Sequence, residues 1–313
     1  MSVLEDMALL FRVAKNYYLD HYSQGEIAQL ENISRPQVSR LLQRARELGI
    51  VKISVAFPDT ADRSWLKERL QDGLGLKDVC ISPSTEKDKE NEAGVYTIAG
   101  TYLSQVLGKF RNVGVGWGKS MYYTSFQLIP RAGNPELTFI PIIGNSGTNI
   151  PYLQINSIVD RFAEKFGAKG YYTQSLFLSP VTQFLEDQKR LVELRRSWEK
   201  LDAAVIGLGG KINSKKIYID ELPAATNKKR LIEHALGDIL GQYFMDDQTV
   251  FEYPKEYQVT ALGLEALKRV ENVICIARGI HKVEAIAYAA SQGYIKTLVT
   301  DEITARDILE VLK

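Results

Sequence analysis

"NVGVGWGKSMYYTSF", residues 112–126, decides how the larger part of this chain is read. A short apolar strand runs into a glycine loop, and a helix follows it. The end of the loop resembles a Walker A signature, for which Gly118, Lys119 and Ser120 supply the last three positions. The first glycine of that signature belongs at 113, where the chain has Val113, and no persuasive Walker B strand accompanies it. A nucleoside triphosphatase is therefore rejected. The physics of the loop survives without the motif. Glycines let backbone N–H groups close on an anion, and a helix N-terminus favours negative charge. Gly116, Trp117, Gly118, Lys119 and Ser120 are thus candidate anion-binding residues, against the plainer reading of a tight turn at a sheet edge.

The same unit recurs on both sides. Apolar runs "DVCIS", "NVGVG", "LTFIPII", "DAAVIGLG", "NVICIA" and "KTLVT" alternate with helical segments such as "AGVYTIAGTYLSQVLGKF", "LQINSIVDRFAEKFG" and "HKVEAIAYAASQGY". Alternation of this kind predicts an α/β, doubly wound, mainly parallel sheet covered on both faces. Ligand crevices of such sheets form at the strand ends, where this chain is rich in glycine. "IPIIGNSGTN" supplies Gly144, Asn145, Ser146, Gly147 and Thr148. "VIGLGG" begins like a dinucleotide fingerprint, but its last glycine belongs at 212, which is Ile212, so NAD is discounted. In "ARGIHKVEAIAYAA", Lys282 follows Gly279 into a helix start and is a candidate phosphate clamp. Asp238, in "ALGDILGQYF", either bonds sugar hydroxyls or caps a turn.

The first 57 residues differ. "LEDMALLFRVAKNYYLD" carries Leu4, Met7, Leu10, Phe11, Ala14, Tyr17 and Tyr18 at helical spacing. Ser23 and Glu26 form a capping box for a short helix whose Ile27 and Leu30 face inward. Ser34 caps the next helix, Pro36 sits in its first turn, and Gly49 ends it. Val38, Leu41, Leu42, Ala45 and Leu48 form its buried stripe, and "IVKISVAF" alternates as a strand. Helices over 24–31 and 34–48 with a tight connection have the form of a small all-α helix-turn-helix domain, winged by that strand. Its second helix offers Arg35, Gln37, Ser39, Arg40, Gln43 and Arg44 outward. Arginine and glutamine bond guanine and adenine edges bidentately. Ser34, Ser39, Arg44, Arg46 and Lys52 suit phosphates, which position without specifying. A solvated helix face is the alternative. The constellation of cap, break, Ser-Arg-Pro start and polar face favours double-stranded DNA. One short helix reads few base pairs, so a two-fold symmetric homo-oligomer is expected. The predicted domains are 1–57, DNA-binding, and 58–313, effector-binding and oligomerising.

Composition limits the remaining classes. The 313 residues are 45% hydrophobic and 25% charged, with a net charge of only +1, so any nucleic-acid function rests on local charge. No run of about 18 apolar residues predicts a membrane span. "MSVLEDMALLF" lacks the basic start and small-residue cleavage site of a signal peptide. Cys80 and Cys275 sit inside apolar runs and read as small buried hydrophobes of a reducing, cytoplasmic protein. His21, His234 and His281 lie far apart, and no metal-ligand spacing occurs, so neither metal nor cofactor is expected.

Together these residues resemble the SorC family of sugar-responsive bacterial transcription regulators. The similarity is carried by "YYLDHYSQGEIAQLENISRPQVSRLLQRARELGIVKI", "VGVGWGKSM", "ALGDILGQYF" and "HKVEAIAYAASQGYIKTLVTDEITARDIL", in that order and spacing. The resemblance implies a helix-turn-helix joined to a domain similar to sugar-phosphate isomerases. It also implies a tetramer built as a dimer of dimers, and control of operator binding by a phosphorylated sugar or sugar alcohol. It places ligand contacts on Gly116–Ser120, Gly144–Thr148, Asp238 and, for the phosphate, Lys282. In 144–148 this chain has "GNSGT" where many relatives carry adjacent glycines. No lysine lies in 137–143, so no imine with a sugar carbonyl is expected from that strand.

Two other functions fit the sequence less well. A sugar-phosphate isomerase or deaminase needs a general acid and base converging on substrate, and no convincing pair assembles. No catalytic residue is assigned, and an enzyme is not expected. A purely architectural DNA-binding protein leaves the glycine-looped domain without a role.

Overall fold

The computed structural model describes residues 3–51, 61–131, 133–212 and 222–312. It separates into two compact units, Met1–Pro58 and Asp59–Lys313.

The front unit is three helices, α1 (Val3–Tyr18), α2 (Gln24–Leu30) and α3 (Arg35–Glu47). The α2 start is a capping box: the Glu26 carboxylate accepts from the Ser23 N–H at 2.8 Å, and Ser23 Oγ accepts from the Glu26 N–H at 3.3 Å. Asn32 turns the chain between α2 and α3 with a left-handed φ of 53°. Gly49, φ 72°, follows the end of α3 and supplies the conformation that lets the helix stop there. The small core joins Leu10, Val13 and Ala14 of α1, Ile27 of α2, and Val38, Leu42 and Ala45 of α3. Two apolar positions expected inside are outside. Leu30 is 61% exposed and Leu48 is 53% exposed. Leu30 is the last residue of its helix and Leu48 the C-cap of the next, so each periodic stripe ends before it reaches them. Met7 and Phe11 of the periodic set in α1 are also exposed, while Val13, outside that set, is fully buried. The strand expected over 50–57, with Lys52, falls mostly on residues outside the described ones.

The back unit is built on seven parallel strands: β1 (Asp78–Ser82), β2 (Asn112–Val115), β3 (Thr138–Pro141), β4 (Lys169–Gly170), β6 (Ala203–Gly207), β10 (Asn272–Ile276) and β11 (Thr297–Asp301). Their order across the sheet is β1-β11-β10-β6-β2-β3-β4. Six of the seven are the apolar runs of the sequence; the two-residue β4 is too short to signal itself. Helices α4 (Ala61–Leu74), α11 (Val283–Ser291) and α12 (Glu302–Val311) pack on one another. A second group joins α5 (Asp88–Val106), α6 (Lys119–Gln127) and α7 (Ile155–Phe166). Strand interiors such as Val113, Phe139, Val205, Ile274 and Leu298 are buried in one continuous core. Such near-continuous apolar runs are what a sheet covered on both faces demands.

The winding sets the site. From β2 the chain steps outward through β3 to β4; from β6 it steps the other way through β10 to β11. The reversal falls between the neighbours β2 and β6, and a crevice opens beyond strand ends at such a point. Two antiparallel pairs flank the parallel sheet: β5 (Leu178–Pro180) with β9 (Tyr257–Val259), and β7 (Ala235–Ile239) with β8 (Gln242–Met245). The β7–β8 turn is Leu240–Gly241, with φ of 54° and 70°, the two-residue form whose twist suits a hairpin. Among the described residues, no helix is long and apolar enough to cross a membrane.

Candidate functional site

A cleft of about 610 Å³ opens where the winding reverses. Of the residues expected to bind an effector, Trp117, Gly118, Lys119, Ser120, Ser146, Asp238 and Lys282 line it. Gly116, Gly144, Asn145 and Gly147 do not. The Gly116 N–H donates to Val205 O at 2.9 Å, continuing the sheet. The Gly144 N–H donates to Thr260 O and the Asn145 N–H to Ser175 O, each at 2.8 Å. Asn145 Nδ2 also donates to Thr173 O at 2.7 Å. These two residues stitch the β3 loop to neighbouring chain rather than face the cleft. Gly147 is exposed, with φ 77°.

The β2 loop works differently from the cradle its glycines predict. The Gly118 N–H is already bonded to Tyr152 O at 2.8 Å. Gly118 serves through its φ of 113°, which turns the chain directly into α6. Lys119 and Ser120 are the first two residues of that helix, where N–H groups lack intrahelical acceptors and the dipole is positive.

The β6 loop brings two other elements against it. Its Gly209 pairs with Asp238 of β7 through both backbone bonds, 2.9 and 3.1 Å. A Cβ at 209 would overlap Asp238 Oδ1, so the carboxylate lies directly over this glycine. Asp238 Oδ2 also accepts from the Gly241 N–H at 3.2 Å. Asp238 therefore holds its hairpin turn, and it also lines the cleft. Gly210 does the same for the turn after β10. A Cβ there would overlap His281 O and approach Lys282 Cγ to 2.9 Å. The Lys211 N–H donates to His281 O at 3.2 Å. Lys282 is half-buried, at the entrance to α11, and His281 also lines the cleft.

That turn is anchored from behind. Arg278 donates through Nε to Asp301 Oδ2 at 2.6 Å and through Nη2 to Asp88 Oδ1 at 2.5 Å. The Gly279 N–H donates to Thr304 Oγ1 at 2.8 Å. The Arg278 guanidinium holds the Asp88 carboxyl below the usual aspartate range.

Apart from Trp117, the aromatic part of the lining was not legible in the sequence. Trp117 meets Phe177 edge-on at 5.5 Å, and Phe177 meets Tyr253 at 5.9 Å. Tyr152 and Tyr257 line the cleft beside them. The Tyr253 hydroxyl donates to Gly241 O at 2.8 Å, and burial pushes its pKa far above the phenol range. Behind this part of the lining lies a second small core, Ile212, Leu231, Ala235, Tyr243, Met245 and Phe251, with Tyr253 packed on it. These rings come from segments far apart in the chain, and no local spacing marks them. Cys275 is buried and Cys80 half-buried, and burial raises both thiols to about 12, so they stay protonated and inert.

In the front unit, Ser34, Arg35, Gln37, Ser39, Arg40, Gln43, Arg44 and Arg46 are all exposed. Several of them are engaged with their own helix. Gln37 Oε1 accepts from both the N–H and the hydroxyl of Ser34 at 2.8 Å, so its amide is folded back onto the cap. Gln43 Nε2 donates to Glu47 at 2.9 Å. Arg40 makes only a long contact, 3.4 Å, with Pro36 O. Lys52 lies outside the described residues.

Comparison with known proteins matches residues 59–310, nearly the whole back unit, to the Sugar-bind family, described as "Putative sugar-binding domain". The sorbitol operon regulator of Klebsiella pneumoniae is 25% identical, covering 99% of this chain and 100% of its own length. The chain belongs to the SorC family. A second relative, the deoxyribonucleoside regulator of Bacillus subtilis, is 28% identical over 98% of this chain and 99% of its own. The crystal structure of full-length SorC from K. pneumoniae superposes with a TM-score of 0.75, covering 98% of this chain and 99% of that one. The family model spans the back unit, and the likeness to the sorbitol operon regulator extends over nearly the whole chain.

Proposed function

We propose that this SorC-family chain is a DNA-binding transcription regulator of a carbohydrate-utilisation operon. Its operator binding is controlled by a phosphorylated sugar or sugar alcohol held in the cleft between β2 and β6. The observation that carries this reading is the composition of that cleft. Lys119 and Lys282 each stand at a helix start, and Asp238, a hydroxyl acceptor, lines the same cleft. A cation beside a helix start suits a phosphate, and a fixed carboxylate suits sugar hydroxyls. The relatives' names, a sorbitol operon regulator and a deoxyribonucleoside regulator, support the same reading. The exposed α3 face supplies the other half: Arg35, Arg40 and Arg44 reach base edges and phosphates of duplex operator DNA, with Ser34, Ser39 and Lys52 as further phosphate contacts.

The protein acts as a homo-oligomer, a dimer of dimers, because two recognition helices read two half-sites. It sits in the cytoplasm and performs no catalysis. Effector controls DNA affinity by binding two arrangements of the back unit unequally, since equal binding shifts nothing. A phosphate clamped between Lys282 and the 116–120 loop orders the oligomer surface and changes half-site spacing.

The test is a gel shift on the chain's own upstream DNA, with and without a panel of sugar phosphates, beside a thermal-shift screen. A true ligand at 100 times its dissociation constant stabilises by about 2.7 kcal/mol. Turnover of a sugar phosphate by a protein that ignores every upstream fragment defeats this reading.

A further inference from the structure

Resting on the DNA-binding half of that reading, we infer that Gln37 reads a guanine, as a donor only, and not the adenine that an unengaged glutamine pairs.

A glutamine amide carries an acceptor and a donor side by side. Bidentate pairing with adenine uses both: Oε1 accepts from N6, and Nε2 donates to N7. In α3 the acceptor is already taken. Gln37 Oε1 receives the Ser34 N–H and the Ser34 hydroxyl, each at 2.8 Å. A carbonyl oxygen has two lone pairs, and these two donors fill them. A backbone N–H can only donate, so the atom that meets it is the oxygen, and the amide is not turned over. Reading adenine would require Oε1 to leave both donors and give up the bonds that hold the start of the helix.

What remains for DNA is Nε2. Gln37 is exposed, and among the described residues none accepts from that nitrogen. It is the third residue of α3, and a recognition helix sets its N-terminal side chains on base edges. The side chain therefore brings two N–H bonds to the groove and no acceptor. Guanine shows two acceptors there, N7 and O6. Adenine would leave its N6 donor unmatched, thymine shows one acceptor beside a methyl group, and cytosine shows a donor. Guanine alone matches both N–H bonds.

The experiment selects duplexes from a randomised double-stranded DNA pool, at one salt concentration, with the full-length parent, Gln37→Ala, Gln37→Glu and Ser34→Ala. Single-base variants of the selected site are then titrated with each protein. The parent is expected to prefer guanine over adenine about tenfold or more at one position of each half-site. In Gln37→Ala that preference falls to about threefold or less, while the other positions keep theirs. Gln37→Glu keeps an oxygen for Ser34, as the usual partner in a capping box, and puts an acceptor where Nε2 stood. Its choice at that position is expected to move to cytosine, whose N4 donates. Ser34→Ala removes one of the two donors and returns a lone pair to Oε1, so adenine should come within about threefold of guanine there. Ratios between bases are read rather than affinities, so a helix start weakened by alanine does not mimic the result. A guanine preference that survives Gln37→Ala, or the loss of a preference for adenine, thymine or cytosine in its place, overturns the inference and leaves the DNA-binding reading standing. A parent that selects no sequence from the pool overturns both.

Discussion

The Asp238 carboxylate lies over Gly209, and the two residues exchange both backbone hydrogen bonds, 2.9 and 3.1 Å apart. Glycine at 209 is what lets β7 approach the β6 loop and hold the carboxylate over the cleft. Gly209→Ala puts a methyl where Asp238 Oδ1 now stands. The carboxylate is the movable partner, so the fold survives at a cost of about 1–3 kcal/mol. Effector affinity is expected to fall about tenfold or more as the hydroxyl acceptor swings away. Thermal unfolding measures the first effect and calorimetric titration with the best sugar phosphate the second.

Lys282→Ala removes the cation at the α11 entrance. A charge-assisted bond to a phosphate contributes about 1.5–3 kcal/mol, so effector affinity drops roughly ten- to a hundredfold. Operator binding by the effector-free protein persists, and the effector no longer changes it. A gel shift with rising effector reads this directly; a normal response would move the phosphate elsewhere in the cleft.

Arg40 and Arg44 are expected to behave differently. Arg40→Ala should weaken specific operator binding by about 1–3 kcal/mol and relax the choice of base at one position. Arg44→Ala should weaken binding to all sequences alike and reduce the salt slope by about 1. Binding isotherms at several salt concentrations, on operator and scrambled DNA, separate the two.

Arg278 bridges the fully buried Asp301 and the exposed Asp88. Arg278→Gln strands the Asp301 carboxylate in the interior and should cost about 3 kcal/mol, read as a lowered unfolding midpoint. The pair also has an acid limb. The pKa of Asp88 is lowered in the folded protein, first by its hydrogen bond to Arg278. Its stabilisation is thus full above the ordinary aspartate value of 3.8 and lost as pH falls through the lowered value. Unfolding curves between pH 6 and pH 2 should show this slope in the parent and a flatter one in Arg278→Gln.

Much of the fold was legible because the strands are long enough and apolar enough to declare themselves. "DVCIS", "NVICIA" and "KTLVT" became β1, β10 and β11 with close boundaries. The capping box of Ser23 and Glu26 was readable because it is local chemistry, complete within four residues. Leu30 and Leu48 were misread for a related reason: periodicity continues a stripe past the point where the helix stops. Of the cleft lining, residues that follow a strand directly were legible, and the rings Phe177 and Tyr253 were not. Lys119 and Lys282 stand beside their glycines in the sequence. Phe177 and Tyr253 stand 76 positions apart and meet only in the folded cleft lining.

Local hydrophobic period, caps and glycine loops thus determined which segments become helices and strands, and that a cationic helix precedes an α/β unit. Those signals act over a few residues, within the reach of one turn or one strand. The tertiary structure decided which loops face one another. Sheet order put β2 beside β6, the β7–β8 hairpin laid Asp238 over Gly209, and Tyr253, packed on a second small core, joined Phe177 and Trp117 in the cleft lining. Such choices depend on packing between segments separated by tens to hundreds of residues, and no short window of sequence contains both partners.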